Sequence, residues 1–229
     1  SPKTKGIILN SPNNPSGVVY SEETIQRLSE LLAKKQKEYG TSIYLITDEP
    51  YREIVYDGME VPFVPNYYKN TLVCYSYSKS LSLPGERIGY IIVPDEADDG
   101  KKVMAAVAGA GRALGYVCAP VLFQKAIARC VDVPCDVSAY KKNRDLLYHG
   151  LTDLGYECVR PQGAFYLFVK SPEPDAKAFS ERAKKYDVPV VPGDSFGCTG
   201  YVRVSYCVSA QTIKDALAVF AELMKESQE

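Results

Sequence analysis

Residues 6–50 read GIILNSPNNPSGVVYSEETIQRLSELLAKKQKEYGTSIYLITDEP, and this stretch decides the fold class of the chain. It opens with the apolar run GIILN at 6–10 and closes with a second run, IYLIT, at 43–47. Between them, Ser21 predicts a helix N-cap and Gly40 predicts the end of that helix. The residues expected to face inward are Ile25, Leu28, Leu31 and Leu32. Strand-like runs alternating with helical patterns predict an α/β fold with a mainly parallel sheet.

Two further apolar runs extend this predicted sheet. TLVCYS at 71–76 ends close to Lys79, and RIGYIIV at 87–93 follows a Pro-Gly turn. Polar residues cluster just beyond the strand ends. In open α/β sheets, ligands bind at the carboxyl ends of the strands, where the loops converge. We therefore expect a functional site at that edge.

The second half of the chain has a different pattern, with more helix and shorter strands. Helices are predicted at about 96–110, 120–129, 135–154 and 210–226, and strands of a smaller sheet at 164–169, 188–191 and 201–206. We place a domain boundary near residue 131. The prediction is a large domain over 1–130 and a small α+β domain over 131–229.

Composition sets bounds on the partners of this protein. Apolar residues make up 46% of the 229 residues, enough for a substantial core, and 28 acidic residues nearly balance 27 basic ones. Such a balance gives no field that would attract nucleic acid or an anionic membrane, so neither partner is expected. The apolar runs are short strands, and no membrane-spanning segment is predicted.

The cysteines and the single histidine also exclude some chemistry. Seven cysteines are scattered without CxxC pairs, which is typical of reduced thiols and suggests a cytoplasmic protein. With His149 alone, the sequence predicts no metal site. Ser1 is not a methionine and a strand follows almost at once, so we expect the chain to begin within a longer protein.

Four motifs occur in a fixed order along the chain: NSPNNPSG at 10–17, TDEPY at 47–51, SYSKSLSLPGERIGY at 76–90 and VRVS at 202–205. In these motifs the chain resembles fold-type I pyridoxal-phosphate-dependent aminotransferases, class I/II, of the aspartate aminotransferase family. Supporting matches are GRALGYVCAP at 111–120, GAFY at 163–166 and VPGDSFG at 191–197. The resemblance runs from end to end and implies pyridoxal 5'-phosphate as the cofactor.

Lys79 is the centre of the implied active site. An amine can form a Schiff base with an aldehyde cofactor and then move protons, whereas most lysines are merely solvated surface charges. By resemblance, Asp48 lies against the pyridine nitrogen and Tyr51 donates a hydrogen bond to the phenolic oxygen of the cofactor. On their residue types alone, Asp48 fits a turn aspartate equally well, and Tyr51 is one of 18 tyrosines.

The resemblance also implies residues for the remaining groups of the cofactor and substrate. Asn14 would bind the phenolic oxygen from the other side and contribute to substrate binding, although Asn-Pro-Ser-Gly forms turns in any protein. The predicted phosphate ligands are Ser76, Ser78 and Arg87. Arg203 would bind the substrate α-carboxylate through a bidentate pair; the alternative is an edge-strand charge that faces water.

By the same resemblance, the chain corresponds to a C-terminal fragment. It lacks the N-terminal glycine-containing phosphate loop and the aromatic residue that stacks on the cofactor. The implied activity moves an amino group between an L-amino acid and a 2-oxo acid, the fragment alone is expected to be inactive, and the parent is expected to be a homodimer. Three other interpretations stay open: a pyridoxal-phosphate lyase or decarboxylase on the same fold, the cofactor-binding effector domain of a transcription regulator, and a homologue without catalytic activity.

Overall fold

The computed structural model describes residues 1–227 and divides into two compact units. The first unit comprises Ser1–Pro12, Val19–Ile54 and Glu60–Cys135. The second comprises Asn13–Val18, Val55–Met59 and the described part of Asp136–Glu229. Two short segments of the N-terminal half thus belong to the second unit. A single boundary in the sequence, such as the one placed near residue 131, cannot describe this division. The two domains predicted from the sequence stay a prediction.

The first unit is built on a four-stranded sheet in the order β1-β2-β3-β4. The strands are β1 (Gly6–Asn10), β2 (Tyr44–Asp48), β3 (Thr71–Ser76) and β4 (Gly89–Ile92). The first three are parallel, and β4 pairs with β3 in the antiparallel direction. The predicted α/β fold with a mainly parallel sheet is confirmed.

Helix α1 (Glu22–Tyr39) packs against β1 and β2 of this sheet. Its caps are those predicted: Ser21 Oγ accepts a hydrogen bond from the backbone N–H of Thr24 at 3.2 Å, and Gly40 adopts the left-handed conformation. Of the residues predicted to face inward, Ile25 and Leu32 are buried, but Leu31 is 50% exposed. That expectation was wrong for Leu31 because the buried face continues through Ser29, whose hydroxyl bonds to the Ile25 carbonyl.

The other helices of the first unit are α2 (Tyr77–Ser80), α3 (Gly100–Ala113) and α4 (Val121–Ile127). The predicted strand at 87–93 begins later than expected, at Gly89. Arg87 has a φ of 52°, a left-handed value that no strand contains. At Gly89, an added Cβ would lie 2.2 Å from the Tyr75 carbonyl oxygen, so the close approach of β4 to β3 requires glycine.

The second unit contains an antiparallel sheet in the order β5-β6-β8-β7. Its strands are β5 (Cys158–Val159), β6 (Tyr166–Lys170), β7 (Val191–Pro192) and β8 (Tyr201–Ser205), and its helices are α5 (Ser138–Asp153), α6 (Ala176–Lys185) and α7 (Ala210–Glu226). Strand β8 lies between β6 and β7. The small sheet predicted from the sequence is therefore present, with β5 as an additional short strand. The strand predicted at 188–191 was wrong in its position, because β7 begins only at Val191 and continues to Pro192.

Residues 1–227 contain no helix with the length and apolar character needed to cross a membrane.

Candidate functional site

Lys79 lies in α2, the short helical segment that directly follows β3. Its Nζ atom is 5.8 Å from the centre of the Tyr51 ring. The ring is 4% exposed, so it presents a fixed aromatic face to the amine. The structure therefore brings together two of the three residues predicted to be catalytic, which are 28 positions apart in the chain.

Asp48 is the last residue of β2, and its neighbours in the sheet are Asn10 of β1 and Cys74 of β3. The side-chain amide of Asn10 donates to Asp48 Oδ2 at 3.1 Å and to the Asp48 carbonyl oxygen at 2.9 Å. Loss of surrounding water raises the pKa of the Asp48 carboxyl group, and the nearby Glu49 carboxylate raises that pKa further. A cationic ligand beside this carboxylate would offset both effects.

The loop that carries Tyr51 is held by an ion pair next to Asp48. Glu49 is 2% exposed, and its Oε2 accepts from Arg52 Nη1 at 2.6 Å. The same guanidinium donates from Nη2 to the Val61 carbonyl oxygen at 2.8 Å. Because both charges have partners, the buried carboxylate is compensated, and the TDEPY loop is fixed at the carboxyl end of β2.

Ser76 and Ser78 meet at the start of α2. Ser76 Oγ donates to Ser78 Oγ at 2.7 Å and accepts from the Ser78 backbone N–H at 3.1 Å. Ser76 pairs with Gly89 across the sheet, and the Tyr77 N–H donates to the Ile88 carbonyl oxygen, so the segment just after Arg87 lies beside the start of α2. The predicted phosphate ligands thus lie on adjoining chain segments.

Arg87 is exposed, and its Nη1 donates to the carbonyl oxygen of Pro84 at 2.7 Å. The guanidinium is therefore engaged with its own turn in this structure. The role of Arg87 as a phosphate ligand stays a prediction, and it requires that this hydrogen bond be exchanged for one to a phosphate oxygen.

Arg203 and Asn14 form the second cluster of predicted residues, and both belong to the second unit. Arg203 Nη1 donates to Asn14 Oδ1 at 2.8 Å. The guanidinium carbon lies 4.4 Å from the centre of the Tyr166 ring and 4.9 Å from that of Phe196. Arg203 is half-buried on an internal strand, so the alternative of an edge-strand charge is wrong.

The turn that carries Asn14 is closed by its own hydrogen bonds. The Asn13 side-chain oxygen accepts from the Ser16 hydroxyl at 2.7 Å and from the Ser16 backbone N–H at 3.1 Å. The Gly17 N–H donates to the Asn13 carbonyl oxygen at 2.8 Å. These bonds hold the backbone around Asn14 while its side chain reaches Arg203.

Three residues of these clusters were not singled out from the sequence: Asn10, Tyr166 and Phe196. Asn10 lies at the carboxyl end of β1, where polar residues of the site were expected. This position could have indicated Asn10 from the sequence. Tyr166 and Phe196 occur within the matching segments GAFY and VPGDSFG, but their stacking on Arg203 depends on tertiary packing.

Comparisons with known proteins show the family and the fold of this chain. Residues 1–220 match the family described as aminotransferase class I and II. The chain is 34% identical to an aspartate/prephenate aminotransferase of Thermus thermophilus, over 98% of this chain and 57% of that protein. It is 28% identical to an aromatic-amino-acid aminotransferase of Thermococcus litoralis, over 100% of this chain and 59% of that protein.

Solved structures of aminotransferases have the same fold. The chain superimposes on an aminotransferase from Eubacterium rectale with a TM-score of 0.96 and 62% identity, covering 100% of this chain and 57% of the other. For an aspartate aminotransferase from Thermotoga maritima the TM-score is 0.85 at 30% identity, with 98% and 58% covered. The matched family and the shared fold define a class I/II aminotransferase architecture.

The chain belongs to the aminotransferase class I and II family. It spans a little over half the length of the relatives reported above. Family and fold imply pyridoxal 5'-phosphate as the cofactor.

The residues of the first unit fit that cofactor by their chemistry. A lysine amine beside a buried phenol suits its aldehyde, and a carboxylate with a raised pKa suits its ring nitrogen. The paired hydroxyls of Ser76 and Ser78 are of the kind that bind a phosphate ester.

Proposed function

We propose that the protein containing this chain is a pyridoxal-phosphate-dependent aminotransferase that moves an amino group from an L-amino acid to a 2-oxo acid. The placement of Lys79 beside Tyr51, at the carboxyl edge of the sheet that also presents Asp48, is the observation that carries this proposal. Relatives named as aspartate/prephenate and aromatic-amino-acid aminotransferases support this class of substrates.

Each proposed residue has a defined task. Lys79 would hold the cofactor and move the proton to and from the substrate Cα, and Tyr51 would donate to the phenolic oxygen of the cofactor. Asp48 would keep the ring nitrogen protonated, because a carboxylate stabilises the adjacent cation. When bound, the cofactor supplies the electron sink that the chain itself lacks.

Phosphate and substrate binding complete the proposal. Ser76, Ser78 and Arg87 would bind the phosphate, and Asn14 would bind the phenolic oxygen and help to hold the substrate. Arg203 would bind the α-carboxylate in a bidentate pair. Stacking on Tyr166 and Phe196 supports this role, since it restricts the guanidinium plane.

Borohydride reduction tests the role of Lys79 directly. The full-length protein is mixed with pyridoxal phosphate, reduced and digested, and the labelled peptide is identified by mass spectrometry. We expect the label on Lys79, its loss in Lys79→Ala, and unchanged labelling in the control Lys102→Ala, since the Lys102 side chain is 83% exposed. Label spread over many lysines would contradict the proposal.

Product analysis with an L-amino acid and 2-oxoglutarate then separates transamination from a lyase reaction.

We further propose that residues 1–229 do not catalyse the reaction on their own, because they span only 57% of the length of the aminotransferase from Thermus thermophilus. Detectable transamination by the purified 229-residue chain would contradict this. A cytoplasmic location stays a prediction from the scattered cysteines.

A homodimer is the proposed assembly, with the segment GRALGYVCAP at 111–120 in the contact. Three of its apolar residues are more than 70% exposed in this structure: Leu114, Tyr116 and Val117. An exposed apolar surface of this kind is typical of an interface. Replacement of Leu114 and Val117 by serine should shift the full-length protein toward monomer in a sedimentation experiment.

A further inference from the structure

Arg144 in α5 is a buried cation in the second unit, and its side chain is only 1% exposed. Its guanidinium lies 4.6 Å from the centre of the Tyr56 ring. It is paired with two carboxylates: Nη1 lies 2.9 Å from Asp57 Oδ2, and Nη2 lies 2.7 Å from Asp145 Oδ1. A buried charge is retained only where partners compensate it, and here the partners come from α5 itself and from the 55–59 segment.

Arg144 also holds the segment that follows β5. Its Nη1 donates to the Pro161 carbonyl oxygen at 3.2 Å. The same segment is bound by Tyr56, whose N–H donates to the Gln162 carbonyl oxygen at 3.0 Å and whose hydroxyl donates to the Ala164 carbonyl oxygen. Residues 161–164 are thus fixed by Arg144 and by the ring on which Arg144 stacks.

The fixed segment is packed against the turn that carries Asn14. The Gly17 carbonyl oxygen accepts from the N–H groups of both Gln162 and Gly163 at 2.9 Å. At Gly17, a Cβ would lie 2.3 Å from the Pro161 Cβ, so the two backbones touch without room for a side chain. A displacement of Pro161 must therefore be transmitted to Gly17 and to the turn that Gly17 closes.

We infer that Arg144 is a positioning residue for the Asn14–Arg203 pair. Four contacts connect them in sequence: Arg144 to Pro161, Pro161 to Gly17, Gly17 to Asn13 in the turn around Asn14, and Asn14 to Arg203. When the Arg144 guanidinium is removed, Pro161 loses the hydrogen bond that holds it. As a consequence, Asn14 Oδ1 moves away from the position in which it orients Arg203. The inference rests on the proposed role of Arg203 in binding the substrate carboxylate.

The test uses the full-length protein loaded with cofactor. The variant Arg144→Lys keeps the charge but loses the fork that reaches Asp57, Asp145 and Pro161 together. The matched control is Arg160→Lys: Arg160 lies 3.6 Å from the same Asp57 carboxylate and 3.3 Å from Asp145, but its side chain is 50% exposed. For each protein, KM and kcat are measured with the L-amino acid that the wild type uses best, and again with the amine that lacks its carboxyl group.

We expect Arg144→Lys to raise KM for the amino acid about tenfold while kcat changes less than about threefold. The preference for the amino acid over the amine, as a ratio of kcat/KM values, should fall by about the same factor, because only the amino acid uses Arg203. Borohydride labelling of Lys79 should be unchanged, and Arg160→Lys should match the wild type in every measurement.

An unchanged KM in Arg144→Lys, or an equal loss with the amino acid and with the amine, overturns the inference. If Arg144→Lys does not fold, Asp57→Asn decides the question in the same way, since it removes one partner of Arg144 at the exposed end of the network. Failure of the wild type to label at Lys79 or to transaminate overturns the proposed function itself, and the two failures are thereby distinguished.

Discussion

Arg203 and Asn14 are 189 positions apart in the chain, and Arg203 Nη1 donates to Asn14 Oδ1 at 2.8 Å. The bond uses one arm of the guanidinium fork, and the rings of Tyr166 and Phe196 lie within 5 Å of its central carbon. A planar cation held in this way is suited to pair with a carboxylate through its remaining N–H groups.

Replacement of Arg203 by lysine should separate charge from geometry. Lysine keeps the positive charge but cannot bond Asn14 and a carboxylate with one rigid plane, so we expect KM for the amino acid to rise about a hundredfold. Asn14→Ala should raise KM less, by about tenfold, since Arg203 retains its stacking. Steady-state kinetics on the full-length protein measures both. A KM in Arg203→Lys within threefold of wild type would contradict the proposed carboxylate contact.

Asp48 predicts a pH dependence of cofactor binding. Its pKa is raised above 3.8, mainly by loss of water and then by Glu49, so protonation sets in at higher pH than for an ordinary aspartate. Only the ionised carboxylate attracts the protonated ring nitrogen, so cofactor affinity should fall as pH decreases through the raised pKa. Cofactor titration followed by absorbance, from about pH 4 to pH 8, measures this.

The variant Asp48→Asn should bind cofactor at least about tenfold more weakly at neutral pH, and its cofactor affinity should not fall further as the pH decreases. The exposed Asp95 offers a control, and Asp95→Asn should behave as the wild type. A decline that persists in Asp48→Asn would assign the pH dependence to another group.

Asp98 should contribute to acid stability. Hydrogen bonds from Lys69, Asn70 and Ser42 hold the pKa of its carboxyl group at about 2. A pKa lowered by folding adds stability above the unfolded value of about 3.9, and that stability is lost as pH falls toward about 2. We expect Asp98→Asn to lower the free energy of unfolding at neutral pH by about 1 kcal/mol, a value reduced for solvent screening because the side chain is one-third exposed.

Urea denaturation at several pH values checks this prediction. The difference in free energy of unfolding between wild type and Asp98→Asn should become smaller as the pH falls from neutral to about 2. If this difference in free energy of unfolding stays constant over that range, the substitution acts through side-chain packing and hydrogen bonding and not through the charge of Asp98.

Gly89 and Gly85 form a matched pair of glycines around Arg87. A Cβ at Gly89 would lie 2.2 Å from the Tyr75 carbonyl oxygen and 3.1 Å from the Ser76 Cα, whereas nothing lies within 4 Å of a Cβ at Gly85. Gly89→Ala should therefore lower the free energy of unfolding by about 2 kcal/mol or more, because β4 must move away from β3. Gly85→Ala should change it by less than about 0.5 kcal/mol. Equal effects of the two variants would contradict the close packing of β4.

The sequence by itself determined the α/β class, the parallel strands β1 to β3 and both caps of α1. These features depend on local signals: apolar runs of strand length, a serine at the start of the helix and a glycine in the left-handed conformation at its end. The order of the four motifs was also sufficient to predict the family, because each motif is a short continuous stretch of sequence.

Only the tertiary structure decided which of these residues meet. It showed Asn14 in contact with Arg203, and Lys79 over the ring of Tyr51. It also showed that the buried Arg144 donates a hydrogen bond to the Pro161 carbonyl oxygen. It also corrected the position of Leu31 and the start of β4. Such contacts join positions far apart in the chain and depend on strand register and on close approach of backbones, which local sequence patterns do not encode.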